Sequence, residues 1–63
     1  MAINLNTANE DELSDIKGIG KKRAHEIVQY RNKHGEFGDW NDLSSMGMPK
    51  NVIRNIKRRA IIQ

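Results

Sequence analysis

The sequence predicts an all-α domain of four to five short helices, and three observations carry that prediction. Apolar residues recur at spacings of three and four, as in Ala24, Ile27 and Val28 and again in Val52, Ile53, Ile56 and Ala60, and no stretch alternates as a strand would. Helix-breaking residues fall between these stripes: Gly18 and Gly20, Gly35 and Gly38, Gly47 and Pro49. The third observation is a repeat. Gly47-Met48 follows Gly18-Ile19 by 29 positions, and at the same offset Lys50 matches Lys21 and Ile56 matches Ile27. Two such copies can pack face to face and bury what neither buries alone.

Each element has a local cause. Thr7 and Glu10 have capping-box spacing, which predicts a first helix from about Ala8, with Leu13 and Ile16 on its apolar stripe and its end at Lys17-Gly18. A second helix follows from about Lys21 to Lys33, where Gly35 supplies a left-handed stop. Gly35-Glu36-Phe37-Gly38 is a linker, and Asp39 can cap a short third helix carrying Trp40 and Leu43. Pro49 suits the first position of a fourth helix. Ile3 and Leu5 are expected to cross the core as an extended cover, while Ile61-Ile62 pack or fray. The whole of residues 1–63 reads as one domain, with a first motif over about 8–34 and a second over about 39–60.

A chain of 63 residues buries only about 60% of its unfolded surface, so its stability is marginal. It contains no cysteine, which excludes disulfides and thiolate metal sites. No apolar run is long enough to span a membrane, and no leader peptide is visible. The net charge of +3 conceals an alternation along the chain. Residues 1–16, 17–35, 36–49 and 50–63 carry net charges of −4, +5, −3 and +5. Each glycine turn thus marks a change from acidic to basic sequence, a balance suited to an acidic partner.

Gly18-Ile19-Gly20 opens directly into a helix, so the N–H groups at that helix start face outward as an anion site. Lys21, Lys22 and Arg23 come immediately after. Three cations beside the positive end of a helix dipole are unfavourable for the isolated helix, and a polyanion reverses the sign. The expected ligand is a nucleic-acid phosphate.

Leu13-Ser14-Asp15-Ile16-Lys17-Gly18-Ile19-Gly20, with Ala24 and Ile27 downstream, resembles the helix-hairpin-helix motif. Ile3-Asn4-Leu5-Asn6-Thr7-Ala8, Tyr30-Arg31 and Gly35-x-Phe37 before Asp42-Leu43 extend the likeness over nearly the whole chain. Together they resemble the tandem helix-hairpin-helix, or (HhH)2, domain of the ComEA family of bacterial competence DNA receptors, a compact SAM-like bundle. The resemblance implies sequence-independent binding of double-stranded DNA, hairpin amides touching phosphates across the minor groove. Carried over, Gly18, Ile19 and Gly20 supply backbone contacts, Lys21, Lys22 and Arg23 supply charge, and Ala24 lets two helices cross closely. It also permits a monovalent cation on the first hairpin's carbonyls, with no other cofactor implied.

Two departures from the family pattern bear on the site. Lys17 stands where proline is frequent and adds a cation beside the hairpin. Pro49 stands at the second glycine position and has no N–H. The second copy, with Gly47 at its turn, is therefore expected to serve packing and to add the positive field of Lys50, Arg54 and Lys57. Competence receptors join such a domain to a membrane anchor, so a cytoplasmic location is expected for a complete chain and an extracytoplasmic one for an excised domain.

The remaining residues carry blander readings. Trp40 and Phe37 are expected as core anchors rather than stacking platforms, and Met46 and Met48 as gap-fillers. His25 and His34 lack ligand-spaced partners, and no nucleophile–base pair, phosphate loop or carboxylate dyad is present, so no enzymatic activity is expected. Two rival functions share the architecture: a protein-interaction module, marked by an exposed apolar patch, and the DNA-targeting part of a nuclease or repair enzyme.

Overall fold

The computed structural model describes residues 2–63, in the order β1 (Ile3–Asn4), α1 (Glu10–Ser14), α2 (Gly20–His34), α3 (Asn41–Ser45), α4 (Lys50–Arg59) and β2 (Ala60–Ile61). The class is all-α, four helices around one core. The expectation of no strand is corrected only at the chain ends, where β1 and β2 pair in parallel, Ile3 opposite Ala60 and Asn4 opposite Ile61. Two-residue strands are too short to show alternation, and nothing local marks partners so far apart in sequence.

The helix boundaries shift for identifiable reasons. Thr7 does not cap α1; its own N–H and that of Ala8 donate to Asn4 O at 3.1 and 2.9 Å, so the chain is still turning there. Asn9 is the cap instead. Its Oδ1 accepts the Glu12 N–H at 2.8 Å, and Glu12 Oε1 accepts the Asn9 N–H at 3.0 Å. Helix α1 stops at Ser14 rather than Lys17, because Ile16 and Ile19 donate to acceptors three residues back and the tight turns point both side chains inward. Asp39 stands one residue before the cap position of α3, which Trp40 occupies without a side-chain bond, and from there its Oδ1 accepts the Asn41 N–H at 2.8 Å. Pro49 precedes α4 rather than opening it, its extended backbone presenting a carbonyl to Val52 and Ile53 N–H. Ala60, expected on the α4 stripe, is extended in β2 and buried there.

The core draws equally on both motifs. Leu13, Ile27, Leu43 and Ile56 are fully buried, and Leu5 from the N-terminal segment joins them as the expected cover. Phe37 is buried and stacks on Tyr30 at a centroid distance of 5.0 Å. Trp40 packs against the core but is only half-buried, with Lys57 Nζ 5.8 Å from its ring centroid. Residue 40 precedes α3 and lies at the rim of the α3–α4 packing, where a large ring cannot reach the centre.

The N-terminal segment is held by polar groups that periodicity does not reveal. Asn6 Oδ1 accepts the Phe37 N–H at 2.7 Å, and its Nδ2 donates to Phe37 O at 3.2 Å and Gln63 O at 3.1 Å. Arg31 Nη1 donates to Leu5 O at 2.8 Å. No helix among the described residues is long and apolar enough to cross a membrane. Asn6→Ala is expected to destabilise the fold by about 1–3 kcal/mol, because the Phe37 amide loses its partner in a part-buried setting. Urea unfolding followed by circular dichroism checks this; an unchanged midpoint would assign the anchoring to packing alone.

Candidate nucleic-acid interface

Gly18 and Gly47 occupy the same left-handed conformation, with φ of +94° and +91°, so the two turns are built alike. Only a residue without Cβ adopts that region cheaply. Beyond these two glycines the hairpins diverge. In the first, Gly20 is also left-handed, at φ +65°, and α2 begins there. Ile19 N–H donates inward to Ile16 O at 3.0 Å. Among the described residues, the N–H groups of Gly18, Gly20, Lys21 and Lys22 have no protein acceptor, which leaves four open donors around one turn.

The second hairpin directs its amides inward. Gly47 N–H donates to Ser44 O at 2.9 Å and Met48 N–H to Leu43 O at 3.2 Å, the paired bonds of a Schellman cap on α3. Pro49 has no N–H to add. Gly47 therefore contributes shape and no free donor, and the nearest open amides are those of Lys50 and Asn51, the counterparts of Lys21 and Lys22. The connection is also a residue shorter, with residues 46–49 joining α3 to α4 and residues 15–19 joining α1 to α2.

The tips lie side by side. Ile19, Lys22, Arg23 and Glu26 line one cleft of about 340 Å³ together with Met46, Gly47 and Met48. The Ile19 and Met48 side chains are buried, so the tips present backbone outward, and Met48 fills space as expected. Gly18 faces α4 across ordinary van der Waals distance, 3.7 Å from Asn55 Nδ2 and 3.8 Å from Val52 Cγ1 measured from where a Cβ would stand. Lys17 consequently shares a cleft of about 180 Å³ with Asn55, Arg58 and Arg59. Arg58 and Arg59 lie outside the residues that the motif marks. The signal that reveals them is the charge tally of α4 read as a helix: its solvent face carries five cations and no carboxylate.

Lys50, Arg54 and Lys57 line a separate cleft against Trp40, Asn41 and Ser44. Arg23 plays a different part from the other cations, since its Nη1 reaches back to Gly18 O at 3.4 Å and braces the turn. That contact bears on the cation the resemblance permits. Ile16 O already accepts the Ile19 N–H, and the Arg23 guanidinium lies 3.4 Å from Gly18 O, so each of these carbonyls has one lone pair engaged by the chain itself. Positive charge at the turn comes from the chain itself.

The electrostatics are unusually one-sided. The sequence has 11 Lys and Arg against 8 Asp and Glu, yet among the described residues the pairing of a basic side chain with a carboxylate is confined to His25 Nδ1 and Glu10 Oε2 at 3.1 Å. The carboxylates serve caps instead: Glu12 at α1, Asp39 and Asp42 at α3. No lysine or arginine in either cationic cleft is neutralised locally. Among the described residues no group of three His, Cys, Asp or Glu side chains is placed to hold a metal ion.

Comparison with known proteins agrees with this geometry. An uncharacterized protein of Haemophilus influenzae is 39% identical over 61 residues, covering 94% of this chain and 54% of that protein. ComE operon protein 1 of Bacillus subtilis is 34% identical over 56 residues, 87% of this chain and 27% of that protein. Endonuclease/exonuclease/phosphatase family domain-containing protein 1 of Bos taurus is 42% identical over 45 residues, 71% of this chain and 8% of that protein. The chain thus spans about half or less of the curated relatives it matches. No solved structure matches it. The family model of the helix-hairpin-helix motif matches residues 1–59, and with two left-handed glycine turns each leading into a basic helix, the chain belongs to the helix-hairpin-helix family.

Proposed function

We propose that this domain binds double-stranded DNA without sequence preference, through the first hairpin. The observation that carries the reading is the set of four open amides from Gly18 to Lys22, lying among lysines that no carboxylate neutralises. Backbone donors at a helix start hold phosphate oxygens, and Lys21 and Lys22 add charge without reading bases. Lys17, with Arg58 and Arg59 beside it, extends the cationic track on one flank, and the tip of the second hairpin abuts the first on the other. The domain acts as a binding module and not as a catalyst. A role in DNA uptake rests on the resemblance to the competence DNA receptors, and one in repair or recombination on the alternative of a DNA-targeting part of a nuclease or repair enzyme.

A protein-docking role is less well supported. Among the described residues Ile61, 36% exposed, is the one large apolar side chain at the surface, and a lone side chain is not a patch.

Binding is expected to be weak and steeply dependent on salt. Neutralising about three to five phosphates implies a slope of log affinity against log salt of roughly −3 to −4.5. Anisotropy titrations with two unrelated duplexes of equal length check both points. A flat salt response, or a preference above about tenfold for one duplex, would contradict phosphate-only recognition.

The hairpins are expected to contribute unequally to duplex binding. Lys21→Glu with Lys22→Glu should remove most of the affinity, whereas Lys50→Glu should remove less, because the Gly47 and Met48 amides of that turn are committed to the Schellman cap and Pro49 has none. A larger effect from Lys50→Glu would move the primary contact to the second hairpin.

Gly20→Val should act through the backbone. A Cβ at Gly20 meets nothing within 4 Å, so the cost is the left-handed φ, about 1–2 kcal/mol, plus a side chain standing between amides and phosphate. Helical circular dichroism should largely persist while DNA affinity falls more than for the loss of one lysine. A well-folded variant that binds as the parent does would remove the amides from the mechanism.

A further inference from the structure

The two motifs differ most where their helices face each other beside the turn. Upstream of the hairpins the offset between copies is 30, since Leu13 matches Leu43; downstream it is 29. On this correspondence Trp40 stands where Glu10 stands, and Arg54 where His25 stands. In the first motif that place is an acid–histidine pair, Glu10 Oε2 to His25 Nδ1 at 3.1 Å. In the second it is an indole beside an unpaired guanidinium. The cleft there, about 270 Å³, is lined by Trp40, Asn41, Ser44, Lys50, Arg54 and Lys57 with Ile53 at its floor, and no carboxylate lines it. Lys57 Nζ lies 5.8 Å from the Trp40 ring centroid, so the ring already accepts a cation on its face.

Three cations, two small polar side chains and an aromatic face describe a ligand that carries both negative charge and a planar π surface. A paired duplex offers phosphates but keeps its bases stacked inside. An unpaired nucleotide offers both. We propose that this cleft binds an unpaired nucleotide of a single-stranded DNA segment, its base on Trp40 and its phosphates on Lys50 and Arg54. As the base enters, Lys57 turns from the ring to the phosphate. The site is separate from the first hairpin, so the domain engages a duplex carrying a single-stranded tail at two places. The cleft goes beyond the duplex reading, and only the engagement at two places rests on it.

Trp40 is the single tryptophan of the chain, so its emission reports on this cleft alone. The whole chain is titrated with a blunt duplex, with the same duplex bearing a short thymidine tail, with an abasic tail of equal length, and with inorganic tripolyphosphate. The thymidine tail should quench Trp40 and raise affinity roughly 5- to 150-fold over the blunt duplex, the range spanned by stacking of one base. The abasic tail and tripolyphosphate should leave the emission nearly unchanged. Trp40→Leu should abolish the advantage of the tail while leaving blunt-duplex affinity intact; Trp40→Phe should keep part of it, and Arg54→Gln should diminish it. Equal gains from abasic and thymidine tails would overturn the proposal in favour of a site for phosphate alone. A tail that adds nothing while the blunt duplex still binds would overturn it and leave the duplex reading standing. Binding of the tail without the blunt duplex would do the reverse.

Discussion

Burial of Leu13, Ile27, Leu43 and Ile56 in one cluster is the interaction on which the rest of this domain depends. Each motif supplies a leucine before its turn and an isoleucine after it. Neither motif alone could remove these side chains from water, and no disulfide or network of ion pairs is present among the described residues to compensate. The core therefore determines how the motifs face each other, and with that the meeting of Ile19 with Met46, Gly47 and Met48 at the tips. Open amides at the first turn are a by-product of the same geometry. Ile16 and Ile19 must point inward to complete the cluster, and the backbone that turns them leaves its neighbouring donors open.

The asymmetry between the two copies is more than the absence of one donor. The two glycines still share one left-handed conformation, so the second turn has kept its shape. Its amides are directed to the end of α3. The missing N–H at Pro49 is thus one part of a larger difference: the first turn leaves its amides open, and the second closes a helix. The second copy also carries Trp40 at the position of Glu10. A 63-residue domain has little surface to allocate, and division of labour between related halves uses it fully.

Much of this is legible in the residues, and the rest is hidden for physical reasons. Helical spacing marks α2 and α4 because each buries a stripe, whereas the five-residue α1 and α3 bury one leucine each, and Gly18-Ile19-Gly20 marks the first turn because glycine suits its φ. Sequence spacing misplaces the cap of α1 by two residues: Thr7 and Asn9 both have suitable side chains, and the choice depends on where the preceding turn over Asn4 ends. Strand pairing and the Asn6 contacts join residues more than thirty positions apart and leave no periodic trace. Trp40 misleads for a different reason. Ring size argues for burial, yet burial depends on where along the helix pair the residue stands, and residue 40 stands at its rim.

The parallel pairing of β1 with β2 has a mechanical meaning. Ile3 lies opposite Ala60 and Asn4 opposite Ile61, so chain running into the domain and chain running out of it are tied together at one spot. Asn4 and Asn6 reinforce the tie through Gln63 O. Because the strands run the same way, a pull on the two ends slides one strand along the other, and the ladder bonds share the load instead of parting one after another. Force applied across the two ends would meet this clasp before it reached the helices, and the two glycine turns would keep their shape while the load is borne elsewhere.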